Sequence, residues 1–208
     1  ENLEDWFNIH NDLCEWIVKF DKLDDINLNN LLQEQFQTAD KAFNQFISEE
    51  YKSLISSEES KHLFTPSTIR NNLVDNLKQD EKGILIIMDC LRSDQWKSMS
   101  SSLFSDFKIT THYQSAIIPS TTFYSRNAIF SGLFPMDLYN QNSKIYNKMI
   151  ESESNYNRFE HELLKEQLHK YNLDHISSSY IKVSSYEYGK SLVKNIKNFK
   201  NIDLLCIV

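Results

Sequence analysis

The spacing of hydrophobic residues changes near residue 80 and divides the sequence into two regions. Before that point, apolar residues recur every three or four positions, which places them on one face of a helix. The apolar positions of three such patterns are Trp6, Ile9, Leu13, Trp16, Ile17 and Phe20, then Leu28, Leu32, Phe36, Ala39, Phe43, Phe46 and Ile47, then Ile69, Leu73 and Leu77. We predict a small all-α helical bundle over residues 1–80, a linker or dimerisation element. Its aromatic stripe is interpreted as packing, or as a surface for a partner helix or a second copy.

The second region, residues 81–208, alternates short apolar runs with helical patterns. The run ILIIM at residues 84–88 is continuous, as is typical of a strand buried on both faces of a parallel sheet. Helical spacing follows from about Ser93, from near Thr122 to Gly132, and over residues 159–171 and 188–199; strand-like runs cover residues 107–118, 175–183 and 203–208. This alternation predicts an α/β domain with a mostly parallel sheet and flanking helices.

Composition and charge exclude several classes of protein. The 208 residues include only three Gly and three Pro, which argues against an all-β fold with many tight turns. The formal net charge is −7 and no block of Lys and Arg stands out, so tight binding to long nucleic acid is not supported. Cys14, Cys90 and Cys206 lie far apart, which indicates a reducing, cytoplasmic setting. No segment approaches the roughly 20 apolar residues of a membrane span.

Asp89 is the first candidate for a functional residue, because ligands of open α/β sheets gather at the carboxyl ends of strands. It is the first polar residue after the apolar run, and Arg92 and Asp94 follow it closely. A carboxylate in this position is a candidate metal ligand. Alternatively, Asp89 caps the next helix, and Arg92 and Asp94 form a surface pair. The local sequence by itself favours this second interpretation.

The second candidate lies in the stretch SAIIPSTTFYSRNAIFSGLFP, residues 115–135. Thr122 is placed at the first turn of a predicted helix, where free backbone N–H groups and the helix dipole favour an anion. Its hydroxyl can cap the helix, or attack a phosphate or sulfate ester if a metal ion lowers its pKa. Arg126, four residues further on the same face, is placed to bind ester oxygens in a bidentate way. Spacing alone favours capping.

Taken together, the two candidates resemble a known family. The strand that ends in Asp89, the phrase MDCLRSDQWK, and about 30 residues later the pattern P-x-x-T-x-x-x-R-N-x-x-F-S-G-L-x-P are similar to the PglZ branch of the alkaline phosphatase superfamily. They are also similar to PorX-like response regulators, which join a receiver domain, a helical bundle and a PglZ-type domain. The resemblance covers about residues 83–208 and implies an alkaline-phosphatase-like sheet preceded by the bundle.

The resemblance also implies roles for individual residues. In that superfamily the strand-end Asp binds a metal, usually zinc, and the Thr is both metal ligand and nucleophile. Carried over, Asp89 becomes a metal ligand, and Thr122 becomes ligand and nucleophile, aligned by its ten-residue distance to Gly132. Thr121 is the competing nucleophile if this alignment is shifted by one position.

Two departures from the family pattern affect the expected site. Phosphodiesterase relatives often have Asn three positions after the nucleophile; this chain has Ser125, with Arg126 beside it, so both are candidate substrate-binding residues. The remaining metal ligands of the family, further Asp and His residues, follow a later strand, and the chain stops at Val208. We therefore expect a piece of a longer protein that holds about half of a two-zinc site and is inactive by itself.

The implied function is that of a cytoplasmic two-component response regulator with a zinc-dependent phosphohydrolase effector of the phosphodiesterase type. The expected substrate is a phosphate ester, such as a nucleotide or short oligonucleotide. The expected partners are a sensor histidine kinase, which acts through a receiver domain absent from this chain, a second copy on activation, and proteins that regulate type IX secretion. The alternatives are a catalytically silent PglZ-type interaction or dimerisation module, and a scaffold with no site.

Overall fold

The computed structural model describes residues 2–23, 25–151 and 156–208, in which helices predominate. In chain order the elements are α1 (Leu3–Phe20), α2 (Ile26–Ser56), α3 (Glu58–Lys61), α4 (Thr68–Asn72), α5 (Val74–Lys78), β1 (Gly83–Ile86), α6 (Ser93–Ser100), α7 (Thr122–Ser131), α8 (Pro135–Gln141), α9 (Ser143–Glu151), α10 (Glu160–Lys170), β2 (Ser178–Ile181), α11 (Tyr186–Lys194) and β3 (Leu204–Ile207). Single 3₁₀ turns cover Thr65–Ser67, Ser101–Leu103 and Ile196–Phe199. None of the described helices combines the length and the apolar character that crossing a bilayer requires.

Internal contacts divide the described residues into two compact units. The first unit comprises Glu1–Leu63 and Cys90–Ser115, and the second comprises Phe64–Asp89 and Ala116–Val208. Helices α4 and α5, whose sequence resembles a third helix of the predicted bundle, are therefore part of the second unit. The domain boundary predicted between residues 80 and 81 stays a prediction.

The first unit is built on the packing of α1 against α2 and α6. Asn2 and Asp5 form a capping box at the start of α1, which satisfies backbone N–H groups that the helix leaves free. Trp6 of α1 packs against Phe43 and Phe46 of α2, with ring centroids 5.3 and 5.9 Å apart. At these positions the aromatic stripe is packing, as one interpretation of the sequence proposed.

The second unit contains a parallel sheet of three described strands in the order β1-β3-β2. The register pairs Ile86 with Ile207 and Ile207 with Ile181, so the carboxyl ends of the strands lie at the same edge of the sheet. Helices α4, α5 and α7–α10 contribute to the core on one face of the sheet; its buried members are Ile69, Val74, Leu77, Phe130, Leu138, Met149, Leu163, Leu164, Leu168, Leu173, Leu204 and Cys206. The predicted α/β class with a parallel sheet and flanking helices is confirmed, but the expectation that the strand at residues 84–88 is buried on both faces is wrong, because Ile84 and Ile86 are each 59% exposed.

Helix α7 follows its predicted bounds closely. It begins at Thr122 and ends at Ser131, and Gly132 follows with φ 67° and ψ 22°, in the left-handed region. Glycine adopts this conformation without the steric cost that a Cβ atom would add, which explains why the helix ends there.

Two parts of the predicted secondary structure are wrong. The strand-like run at residues 107–118 forms no strand. Within this run, the N–H of Ser115 donates a hydrogen bond to the carbonyl oxygen of Leu63 at 2.7 Å. Phe107 and Ile118 are exposed, whereas Ile117 is buried, so the run does not present a continuous apolar face to the core. The third predicted helix, with Ile69, Leu73 and Leu77 on one face, is divided into a 3₁₀ turn, α4 and α5, with non-helical backbone at Leu73.

Candidate active site

Asp89 lies just beyond the carboxyl end of β1, as the sequence predicts. Ile87 still bonds to β3, through its N–H and the carbonyl oxygen of Ile207 at 2.9 Å, and Asp89 follows two residues later. The side chain of Asp89 is 44% exposed. Helix α6 is flanked by Arg92 rather than by Asp89, so the alternative interpretation of Asp89 as a helix cap is wrong.

Arg92 and Asp94, the neighbours of Asp89 in sequence, form the pair that the alternative interpretation proposed. The Arg92 Nε donates to Asp94 Oδ1 at 3.0 Å, and Nη2 donates to Oδ2 at 2.7 Å. Both residues belong to the first unit, in which the arginine side chain is 67% exposed and the aspartate side chain 10%. Their charges satisfy each other, so neither residue is a ready metal ligand.

Thr122 is the first residue of α7 and is exposed. Thr121 flanks the helix in an extended conformation, with φ −65° and ψ 152°, and its side chain makes no capping hydrogen bond. The first residue to bond within the helix is Ser125, whose N–H donates to the Thr121 carbonyl oxygen at 2.9 Å. The N–H groups of the preceding turn therefore remain open to an anion, because no intrahelical carbonyl reaches them.

Arg126 connects the start of α7 to the end of β1. It lies one turn after Thr122, and its Nη1 donates to Asp89 Oδ2 at 3.1 Å. Two further donors of the guanidinium bind Glu160 in a fork, with Nε to Oε1 at 2.8 Å and Nη2 to Oε2 at 2.6 Å. Arg126 is only 6% exposed, so its guanidinium is committed to carboxylates of the chain. Binding of an ester by Arg126 stays a prediction.

Glu160 and Tyr180 complete this network, and the sequence did not single them out. Glu160 is the first residue of α10 and is fully buried at 0% exposure. Tyr180, on β2, donates a short hydrogen bond from its hydroxyl to Glu160 Oε2 and accepts one from Arg126 Nη2 at 3.2 Å. An acidic residue in the first turn of a helix usually offsets the helix dipole at the surface, so nothing in the sequence marked Glu160 as buried.

The electrostatics of the network follow from burial and from these hydrogen bonds. Burial disfavours the charged guanidinium, but the hydrogen bond and the charge of Glu160 outweigh it, and the pKa of Arg126 rises above its usual value. Burial and the hydrogen bond to Glu160 likewise raise the pKa of the Tyr180 hydroxyl. Arg126 is therefore charged and Tyr180 neutral at every physiological pH.

Ser125, the other predicted substrate-binding residue, occupies the first turn of α7. Its hydroxyl oxygen is shielded from solvent, and within the described parts of the chain it has no hydrogen-bond partner. The Oδ1 atom of Asn127, two residues further along, is in the same situation. Contact between Ser125 and a substrate stays a prediction.

The sequence predicts that an oxygen atom of Asp89 and one of Thr122 bind a metal ion. Asp89 uses Oδ2 for Arg126, whereas Oδ1 accepts no hydrogen bond from any residue that the structure describes. The Thr122 hydroxyl is exposed on the helix whose Arg126 reaches the same carboxylate. Oxygen ligands suit zinc at about 2.0–2.2 Å, as well as harder divalent ions. Across residues 2–23, 25–151 and 156–208, however, no group of three or more His, Cys, Asp or Glu side chains is placed to hold an ion. Metal binding by Asp89 and Thr122 therefore stays a prediction.

Comparison with known proteins assigns the chain to a family. Residues 69–204 match the model of the BREX system PglZ alkaline phosphatase-like domain, and residues 1–55 match that of the PorX response regulator linker domain. A search of curated proteins found no match. The first of these matches spans more than half of the chain, includes β1, β2, Asp89 and Thr122, and ends at the first residue of β3. The chain thus belongs to the PglZ family of alkaline phosphatase-like domains, joined at its N-terminus to a linker domain of the PorX response regulator type.

Proposed function

We propose that the chain is the linker and effector of a response regulator, and that the effector hydrolyses phosphodiesters with zinc as cofactor and Thr122 as nucleophile. The observation that carries this proposal is the position of the Thr122 hydroxyl. It is exposed at the uncapped start of α7, on the helix that Arg126 ties to the strand-end carboxylate of Asp89. In this proposal a nucleophile (Thr122), an anion site (the start of α7) and a metal ligand (Asp89) act together at one edge of the sheet.

The chain's own residues have distinct tasks in this reaction. The open N–H groups of the first turn of α7 bind the non-bridging oxygens of the phosphate. The Thr122 oxygen loses its proton to solvent and attacks phosphorus, while the bond to the leaving oxygen breaks and that oxygen takes up a proton from water. Water then attacks the phosphorus of the phosphothreonine, which releases a phosphate monoester and restores the Thr122 hydroxyl. Asp89 Oδ1 and the Thr122 oxygen are the atoms of the described residues that would hold zinc. Bound zinc lowers the pKa of the threonine hydroxyl and offsets the charge of the phosphate.

The substrate and partners in this proposal follow the family. A nucleotide or short oligonucleotide is the favoured substrate, since the net charge of −7 disfavours long nucleic acid. A receiver domain under the control of a sensor histidine kinase switches the effector in the cytoplasm, and the N-terminal helices contribute to a homodimer. The output regulates type IX secretion, as the match to the PorX linker suggests.

The first prediction concerns the nucleophile, and Thr121 offers a matched control one residue away. In the full-length protein with zinc, Thr122→Ala should lower the rate of bis(p-nitrophenyl) phosphate hydrolysis by about 10³-fold or more, because the attacking oxygen is removed. Thr121→Ala should retain the rate within about threefold, since its side chain makes no capping bond. Loss of activity in Thr121→Ala but not in Thr122→Ala would mean that Thr121 is the nucleophile.

A second candidate function is an interaction module that is catalytically silent. It is favoured by exposed apolar residues on the two long helices of the first unit and their connection, namely Trp16, Leu23, Ile26 and Leu31. Such residues are typical of surfaces that bind another protein or a second copy. Stoichiometric zinc binding without cleavage of any ester by the wild-type protein would support this function over catalysis.

A further inference from the structure

Arg126 divides its hydrogen bonds unequally between two carboxylates. Glu160 takes two donors in a fork, at 2.8 and 2.6 Å, and Asp89 takes one donor at 3.1 Å. The fork geometry is the strongest way in which a carboxylate binds a guanidinium, so Glu160 is the principal counterion. Asp89 is left with a single, longer bond at one of its two oxygens.

The two carboxylates also differ in burial, and the one with the stronger hydrogen bonds is the more deeply buried. Glu160 is fully enclosed at 0% exposure, whereas the Asp89 side chain is 44% exposed. One arginine and two carboxylates leave one net negative charge. Because Glu160 is paired with Arg126 in the interior, that remaining charge lies on Asp89 at the edge of the sheet.

We propose that Glu160 is a positioning residue that keeps Asp89 available to a divalent cation. By holding Arg126 in a bidentate pair, Glu160 restricts the guanidinium to one oxygen of Asp89 and leaves the other oxygen, with the net charge, for the metal. This inference rests on the proposed function. It adds to the proposed site a residue of α10 that lies 71 positions from Asp89 in the sequence. Contacts of this kind around a metal ligand orient it and adjust its charge.

Tyr180 has a related but weaker part in the arrangement. Its hydroxyl donates to Glu160 Oε2 and therefore orients the carboxylate that holds Arg126. Tyr180 carries no charge, since burial and Glu160 raise the pKa of its hydroxyl. Removing this hydroxyl changes the geometry of Glu160 but leaves the charge balance at Asp89 intact, which makes Tyr180 a suitable control.

The experiment measures zinc affinity by competition with a chromogenic chelator, in the full-length protein. In Glu160→Gln, Arg126 loses its principal counterion, pairs fully with Asp89 and neutralises it. We expect the zinc affinity to fall about 10- to 100-fold, the range found for residues that contact a metal ligand. Tyr180→Phe should keep the affinity within about threefold of wild type. An unchanged affinity in Glu160→Gln would overturn the inference and leave the proposed function standing.

A double variant separates charge from folding. Arg126→Gln combined with Glu160→Gln removes both buried charges, so no cation remains to neutralise Asp89, and loss of both partners is tolerated better than loss of one. Its zinc affinity should be at or above that of wild type, even if Glu160→Gln alone fails to fold. A tenfold weaker affinity in the double variant would refute the charge argument. Absence of zinc binding by wild type would instead refute the proposed function, and this inference with it.

Discussion

Two arginine–carboxylate pairs in this chain share one geometry and differ in their surroundings. Arg92 binds Asp94 in a fork at 3.0 and 2.7 Å, and Arg126 binds Glu160 in a fork at 2.8 and 2.6 Å. The Arg92 side chain is 67% exposed, however, whereas both partners of the second pair are buried. The first pair joins residues two positions apart, and the second joins residues 34 positions apart.

The two pairs show that hydrogen-bond geometry does not by itself determine how much an ion pair contributes to the free energy of unfolding. In the first pair, water and salt screen the exposed guanidinium of Arg92, so that charge would be well solvated even without Asp94, whose side chain is 10% exposed. In the buried pair each charge depends on its partner, because neither is free to return to water in the folded state. The buried pair also ties α10 to α7 and β1, so its loss affects the core and the site together.

The largest expected effect is the loss of stability on breaking the buried pair. Arg126→Ala leaves Glu160 buried without a counterion and should lower the free energy of unfolding by about 3–5 kcal/mol. Urea denaturation of the metal-free protein, followed by far-UV circular dichroism, measures this change, because Trp6, Trp16 and Trp96 all lie in the first unit and the pair lies in the second. A loss no larger than that caused by Arg92→Ala would remove the distinction between the two pairs.

Much of the fold around the site could be predicted because the responsible patterns are local. The apolar run at residues 84–88 predicts β1 and places Asp89 at its end. Thr122 and Gly132 mark the two ends of α7, since a proline and hydroxyl residues precede the helix and a glycine follows it. The two motifs, in their order and spacing, then indicate the PglZ family, which the comparison confirms.

The network behind Asp89 could not be predicted, because it depends on contacts between distant segments. Arg126 is placed by its helical spacing to face a substrate, yet α10 and β2 bring Glu160 and Tyr180 to its guanidinium. Neither residue belongs to a motif. The run at residues 107–118 was misread for a related reason: its strand-like composition has no neighbouring strand among the described residues to pair with.

A medium effect is expected where α7 and α10 approach most closely. Gly132 has φ 67°, and a Cβ atom there would lie 2.4 Å from the amide group of Gln167, which is itself buried. In the orientation that satisfies its amide, Gln167 donates to the carbonyl oxygens of Phe130 and Ile129. Gly132→Ala should therefore cost about 1–3 kcal/mol through strain and displacement of Gln167, as measured by urea denaturation.

Gly189 provides the control for this substitution. It lies within α11, and an added Cβ atom would make an ordinary contact of 3.4 Å with Val183. Alanine favours the helical backbone, so Gly189→Ala should leave stability unchanged or raise it by up to about 1 kcal/mol. If both substitutions had the same effect, the constraint attributed to the α7–α10 contact would be wrong.

The smallest effect is expected at the pair of Arg92 and Asp94, whose guanidinium is exposed, and the pH dependence of stability tests it more sharply than the size of the change does. The hydrogen bond and the charge of Arg92 hold the pKa of Asp94 below its usual range. A carboxyl whose folded-state pKa is lowered adds stability above its unfolded-state pKa of about 3.9, and this contribution is lost as the pH falls through the folded-state value. Arg92→Ala should lower Tm by at most about 2 °C at pH 7, and the difference from wild type should shrink as the pH falls below the unfolded-state pKa of Asp94 and also in 1 M salt. Differential scanning fluorimetry across pH and salt measures it. A difference that persists in acid and in high salt would mean that Arg92 stabilises the protein through packing of its side chain. The two pairs would then differ in how much hydrocarbon their side chains bury, and not in how well their charges are screened.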